Sequence, residues 1–99
     1  MLEKEIQRAI LDYLQAKRIM YLRVNTGAYR TDSGSFLRFG QPGCPDLFVF
    51  KNGITTAIEV KNEKGKQSDI QKEWQGNFEN NGFKYYLIRS VDEVIKLFP

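Results

Sequence analysis

The chain has 99 residues, 41% hydrophobic and 13% aromatic, enough for one core and too few for a second domain, so residues 1–99 read as a single globular domain. One cysteine, Cys44, excludes an internal disulfide and a cysteine-built zinc site, and the absence of histidine excludes histidine-based nucleases, serine and cysteine triads and imidazole metal sites. A net charge of +3 permits a polyanionic partner; with no apolar run near the roughly 18 residues of a membrane span and no signal-peptide core, the expectation is a soluble, cytoplasmic protein with no membrane partner.

Leu2, Ile6, Ala9, Ile10, Tyr13 and Leu14 recur at helical spacing, so the spacing predicts an amphipathic helix from residue 2 to about 18, closed by Lys17 and Arg18 in favourable positions for its dipole. At 100° per residue, Glu3 falls between Ile10 and Leu14 on the apolar face, and Glu5 at the edge of the stripe beside Ala9. A carboxylate on a buried face needs a partner; the plainer reading of Glu3 is a favourable acid in the first turn. Gln7, one turn on, is placed to support whatever Glu3 does.

Residues 19–25 predict a first strand, ended by Thr26-Gly27. From Ala28 to Gly43 a long loop is expected, with residues 35–39 as an extra edge strand. Tyr29, Arg30 and Arg38 interleave basic and aromatic character there, as nucleic-acid contacts do, although an ordinary surface loop would look the same. Gly43 and Pro45 shape the approach to Asp46, Pro45 by forcing Cys44 to be extended.

The centre of the chain is a hairpin over residues 45–61. Asn52-Gly53 between apolar and β-branched runs calls for a type I′ turn. A two-residue loop sets Lys51 opposite Ile54 and, counting outward, Leu47 opposite Ile58 and Asp46 opposite Glu59. Two facing carboxylates roughly 5 Å apart repel by on the order of 3 kcal/mol at an effective dielectric near 20. Lys61 shares the face of Glu59 and lies diagonal to Asp46. Two acids and one amine on one face suit a divalent cation and an activated water, and without histidine the cation is a hard one such as Mg²⁺ or Mn²⁺.

Asn62 to Gln67 reads as a polar turn, and Ser68 as the cap of a helix running to about Asn81, with Ile70, Trp74 and Phe78 inward and Gly82 ending it. Ser68 and Gln71 have the spacing of a capping box, which competes with any role for Gln71 in a site; one side chain does not easily serve both. Lys64, Lys66 and Lys72 surround this helix start, where unpaired N–H groups already favour phosphate. Residues 83–89 predict a buried strand parallel to residues 55–61, and Ser90 to Glu93 a second capping box, opening a last helix with Val91, Val94, Ile95 and Phe98 inward. The order is α-β-β-β-α-β-α, a mixed sheet flanked by helices.

Gly43-Cys44-Pro45-Asp46, Glu59-Val60-Lys61 and Gly65 to Gln71 together resemble the PD-(D/E)XK nucleases, and within them the virus-type replication-repair nuclease (VRR-NUC) family. The resemblance implies the nuclease core just described, with Asp46, Glu59, Lys61 and Gln71 as catalytic residues. It also implies a metal held by Asp46, Glu59, the Val60 carbonyl and a helix glutamate, which by its place before Ile6 is Glu3. Lys61 would orient the attacking water, and Gln71 would orient the lysine, a water or a phosphate. The expected activity is Mg²⁺- or Mn²⁺-dependent hydrolysis of DNA phosphodiesters. Small stand-alone relatives resemble Holliday-junction resolvases, which implies branched DNA and a homodimer, with Trp74 or Phe98 as the apolar contact unless both are plain core. The family name suggests a phage protein in a host cytoplasm. Cutting of linear, nicked or flap DNA, and a nuclease fold that binds nucleic acid without cutting, are the alternatives.

Overall fold

The computed structural model describes residues 1–24, 27–39 and 41–99, and of residues 27–29 and 36–39 the backbone alone. Nine elements follow in order: α1 (Glu3–Ala16), β1 (Met20–Arg23), β2 (Gly27–Arg30), β3 (Phe36–Phe39), β4 (Leu47–Lys51), β5 (Ile54–Val60), α2 (Asp69–Asn80), β6 (Lys84–Ile88) and α3 (Val91–Leu97). The main sheet runs β1-β4-β5-β6. Its first three strands are antiparallel, and β6 joins β5 in parallel after the α2 crossover. This is the mixed sheet flanked by helices that the order of elements predicts.

The hairpin forms in the expected register, Lys51 opposite Ile54 through Leu47 opposite Ile58. Asn52 and Gly53 both take positive φ, 54° and 76°, as a type I′ turn requires. Alternation along the strands then separates two faces. Leu47, Val49, Ile58, Val60 and Ile88 meet Ile6, Ile10 and Leu14 of α1, with Val94 and Phe98, in one buried cluster. On the other face α2 lays Trp74 and Phe78 over Phe48, with ring centroids 6.1 and 5.9 Å away. That layer is thinner: no residue of α2 is fully buried, and Ile70, expected inward, is 49% exposed.

Three expectations need correction. Residues 35–39 do not add an edge to the main sheet; β3 pairs with β2 in a separate two-stranded sheet, because Gly27 and the residues after it continue extended and give β3 a partner of its own. In α3, Ile95 points outward, and Leu97 joins Val91 at the core instead. The second capping box does not close either: the Ser90 side chain makes no cap hydrogen bond, and Glu93 accepts from the Arg89 N–H at 3.3 Å.

Candidate metal and catalytic site

The site lies where the β4–β5 ladder ends. Past Leu47 the simple register stops. The Asp46 N–H donates to the Ile58 carbonyl at 3.1 Å, and the Asp46 carbonyl accepts from the Val24 N–H at 2.8 Å, which locks the residue between β1 and β5. The Asp46 carboxylate does not simply stand across from Glu59. Its Oδ2 accepts the Val60 N–H at 2.6 Å, which fixes the direction of the carboxylate. Consecutive peptide groups on a strand face opposite neighbours. The Lys61 N–H goes to the Ile88 carbonyl of β6, so the Val60 peptide groups face the side of Asp46.

Glu59 is 2% exposed at the end of β5. One oxygen, Oε2, is shared by two donors: the Gln71 side-chain amide at 3.3 Å and the Lys61 ammonium at 3.6 Å. The other, Oε1, is buried with no hydrogen-bond partner. Burial, then the neighbouring Asp46 charge, push the Glu59 carboxyl up to about 8 against the partial relief that Lys61 gives. Without a cation the Glu59 carboxyl therefore holds its proton at neutral pH. The diagonal contact expected between Lys61 and Asp46 is replaced by this closer one to Glu59.

Glu3 completes the cluster. It is exposed, not buried as its wheel position suggests, and it stands at the first position of α1, one turn before the first buried residue, Ile6. One oxygen from each of Glu3, Asp46 and Glu59 lies within 4.8 Å of the others. A cation with ligands at about 2.1 Å separates opposed oxygens by about 4.2 Å, so small rotations bring the three into a common shell. An orphaned buried oxygen and three converging carboxylates fit a hard divalent cation. Glu5 is engaged elsewhere: its Oε1 accepts the Leu2 N–H at 3.0 Å, the return half of a helix cap. Gln7 lines the same opening as Glu3 and Asp46 and accepts from Arg23 at 3.2 Å.

Gln71 closes the capping box with its side chain and still reaches Glu59. Its amide oxygen accepts the Ser68 N–H at 2.9 Å, its backbone N–H donates to Ser68 Oγ at 3.3 Å, and its amide nitrogen reaches Glu59. A carboxamide has an acceptor and a donor on the same carbon, so a cap at one end leaves the other free.

Two contacts were not legible beforehand. Arg89 Nη1 donates to the carbonyls of Asn62 at 2.6 Å and Gly65 at 2.7 Å, across the turn that follows Lys61. Gly43, at φ +84°, packs on the first turn of α2, where an added Cβ would lie 2.5 Å from the Ile70 carbonyl oxygen. The parallel register of β5 and β6 is a signal that would have put Arg89 beside Lys61, at the start of the turn that Asn62 opens; nothing in the sequence announces the Gly43 contact. Lys64, Lys66 and Lys72 are exposed around the start of α2, and Arg30 is exposed on β2. The side chains of Tyr29 and Arg38 lie outside the described residues.

Among the described residues no helix is long and apolar enough to cross a membrane. The family model described as the VRR-NUC domain matches residues 2–92. A solved structure titled "VRR_NUC domain" superposes with a TM-score of 0.70 at 22% identity, covering 98% of this chain and 97% of the other. No curated protein matches the chain.

Proposed function

The chain belongs to the VRR-NUC family of PD-(D/E)XK-type nucleases, and from that premise we propose that it is a Mg²⁺- or Mn²⁺-dependent endonuclease that hydrolyses DNA phosphodiesters. The observation that carries this reading is the cluster of Glu3, Asp46 and Glu59, one carboxylate oxygen of each within 4.8 Å of the others, in which Glu59 Oε1 is buried without a hydrogen-bond partner. A protein that merely bound nucleic acid would gain nothing from a buried acid cluster that repels phosphate.

Asp46, Glu59 and Glu3, with the Val60 carbonyl on the same side, would hold the cation. When bound, it polarises the scissile phosphate and lowers the pKa of the attacking water. Lys61, whose ammonium lies 3.6 Å from Glu59 Oε2, would present that group to the attacking water or a phosphate oxygen. Gln71 fixes which Glu59 oxygen is turned away from the cation. Lys64, Lys66 and Lys72, with Arg30 of the small sheet, would take the flanking phosphates.

The finer reading is cleavage of branched, Holliday-type DNA by a homodimer. Its support is that a symmetric junction needs two symmetric cuts and that 99 residues offer little surface for a branched substrate. Phe98 is spent in the core and Trp74 packs within its own chain. The exposed Met20 and Leu22 of edge strand β1 offer an apolar contact in their place.

The test is cleavage of labelled four-way junction, linear duplex and single strand with Mg²⁺ or Mn²⁺, beside Asp46→Asn and Lys61→Ala. Paired cuts in the junction, absent in both variants and in EDTA, are the expected result. Cutting of linear DNA alone would remove the junction part, and tight binding without any metal-dependent cutting would sink the nuclease reading.

A further inference from the structure

Nine residues separate Lys61 from Gln71, and both ends of that segment touch the same carboxylate oxygen, Glu59 Oε2. What fixes the segment between them therefore fixes the distance between ammonium, amide and carboxylate. The first half is a tight turn. Asn62 Oδ1 accepts the N–H groups of Lys64 at 3.1 Å and Gly65 at 2.7 Å, and the Gly65 N–H also reaches the Asn62 carbonyl at 3.2 Å. The turn lies against the stem of Lys61: a Cβ built on Gly65 would stand 3.4 Å from both Cβ and Cδ of the lysine.

The turn is closed from outside by one side chain. Arg89 follows β6, and because β6 is parallel to β5 with Ile88 opposite Val60, its backbone arrives beside Lys61. From there its Nη1 donates to the carbonyls of Asn62 and Gly65, the first and last residues of the turn. Both acceptors are neutral carbonyls, so the bonds fix geometry without cancelling a site charge. The guanidinium is planar and its donors are fixed relative to one another, which suits it to hold two carbonyls at a set spacing better than a flexible ammonium can.

We propose that Arg89 is a positioning residue of this site: by clamping Asn62 to Gly65 it holds the Lys61 stem and the entry to α2, and so sets Lys61 and Gln71 against Glu59. The inference rests on the nuclease reading for its consequence in catalysis. Its structural content stands apart from that reading, because the clamp is a property of the folded chain.

The test joins two measurements on Arg89→Ala and Arg89→Lys, made well below the unfolding temperature of each. The first is amide hydrogen exchange over residues 62–66 in the metal-free protein, which needs no activity. The expected result is faster exchange at Lys64 and Gly65 in Arg89→Ala, with an intermediate effect in Arg89→Lys. The second is steady-state DNA cleavage beside calorimetric Mn²⁺ binding. A displacement on the order of 1 Å costs about 10²-fold in rate, so kcat should fall by that order in Arg89→Ala with KM and Mn²⁺ affinity nearly unchanged, and millimolar guanidinium should restore part of it. Native-like exchange at Lys64 and Gly65 overturns the proposal even if the native protein cuts no DNA. A fall in Mn²⁺ affinity in step with kcat, unrelieved by guanidinium, overturns it too, since that is the signature of general loosening.

Discussion

Gln71 holds Glu59 by its amide nitrogen at 3.3 Å while its amide oxygen holds the Ser68 N–H, so the start of helix α2 and the acid at the end of β5 are joined through one planar group. Stability and chemistry can therefore be separated by choosing which end of the joint to cut. Ser68→Ala removes the hydroxyl that receives the Gln71 N–H and should cost about 1 kcal/mol of stability with cleavage little changed. Gln71→Ala should cost a similar amount and lower kcat at least about tenfold. Urea unfolding beside a cleavage assay distinguishes them, and equal activity in the two variants would remove Gln71 from the site.

The raised carboxyl of Glu59 gives the metal-free protein an unusual pH profile. Its folded value, about 8, lies above the ordinary 4.5, so between those limits the folded state holds more proton than the unfolded one. Stability then falls as pH rises across that window, the reverse of the usual carboxylate. Thermal unfolding in EDTA should show a declining Tm from pH 5 to pH 8. Glu59→Gln should flatten the slope, and Mg²⁺ or Mn²⁺ should raise Tm most at the alkaline end, where the carboxylate is free to bind.

Glu3 and Glu5 are two residues apart and do different work. Glu3→Gln should weaken Mn²⁺ binding, read by calorimetry, with little change in stability. Glu5→Gln should leave Mn²⁺ affinity near native, since a glutamine oxygen still accepts the Leu2 N–H. Equal losses of affinity in the two variants would count against Glu3 as a ligand.

Gly43 and Gly53 both have positive φ, 84° and 76°, but differ in their surroundings: an added Cβ meets the Ile70 backbone at Gly43 and nothing within 4 Å at Gly53. Gly53→Ala should cost about 1 kcal/mol, the conformational penalty alone. Gly43→Ala should cost roughly 2–3 kcal/mol and shift the first turn of α2, with loss of cleavage. Denaturant unfolding of the pair checks both, and equal costs would mean that the helix yields without strain.

Much of this molecule is legible because local rules and tertiary needs agree. The Asn52-Gly53 turn fixes the β4–β5 register, and the register carries Asp46 and Glu59 to the same end of the sheet. The apolar stripe of Ile6, Ile10 and Leu14 fixes the face of α1. Most of what escaped the sequence is hydrogen bonding by side chains at the ends of elements. The turn of the Asp46 carboxylate toward the Val60 N–H, the reach of Arg89 to Asn62 and Gly65, and the two-ended use of Gln71 depend on side-chain direction at chain ends, where no periodicity applies. The β2–β3 pair was missed because Gly27 reads as a terminator, whereas here it opens the next strand.

The three carboxylates differ in how firmly they are mounted. Asp46 is tied by its backbone to β5 and to Val24, and Glu59 stands on a strand paired on both sides, but Glu3 is the first residue of α1, whose cap residue, Leu2, has no polar side chain to hold the helix end. Helix ends open and close on the sub-microsecond scale, far faster than a typical turnover. The cation site thus has two fixed walls and one door. Unwinding a single turn of helix would open the cluster, leaving the geometry that the sheet imposes on the other two acids undisturbed.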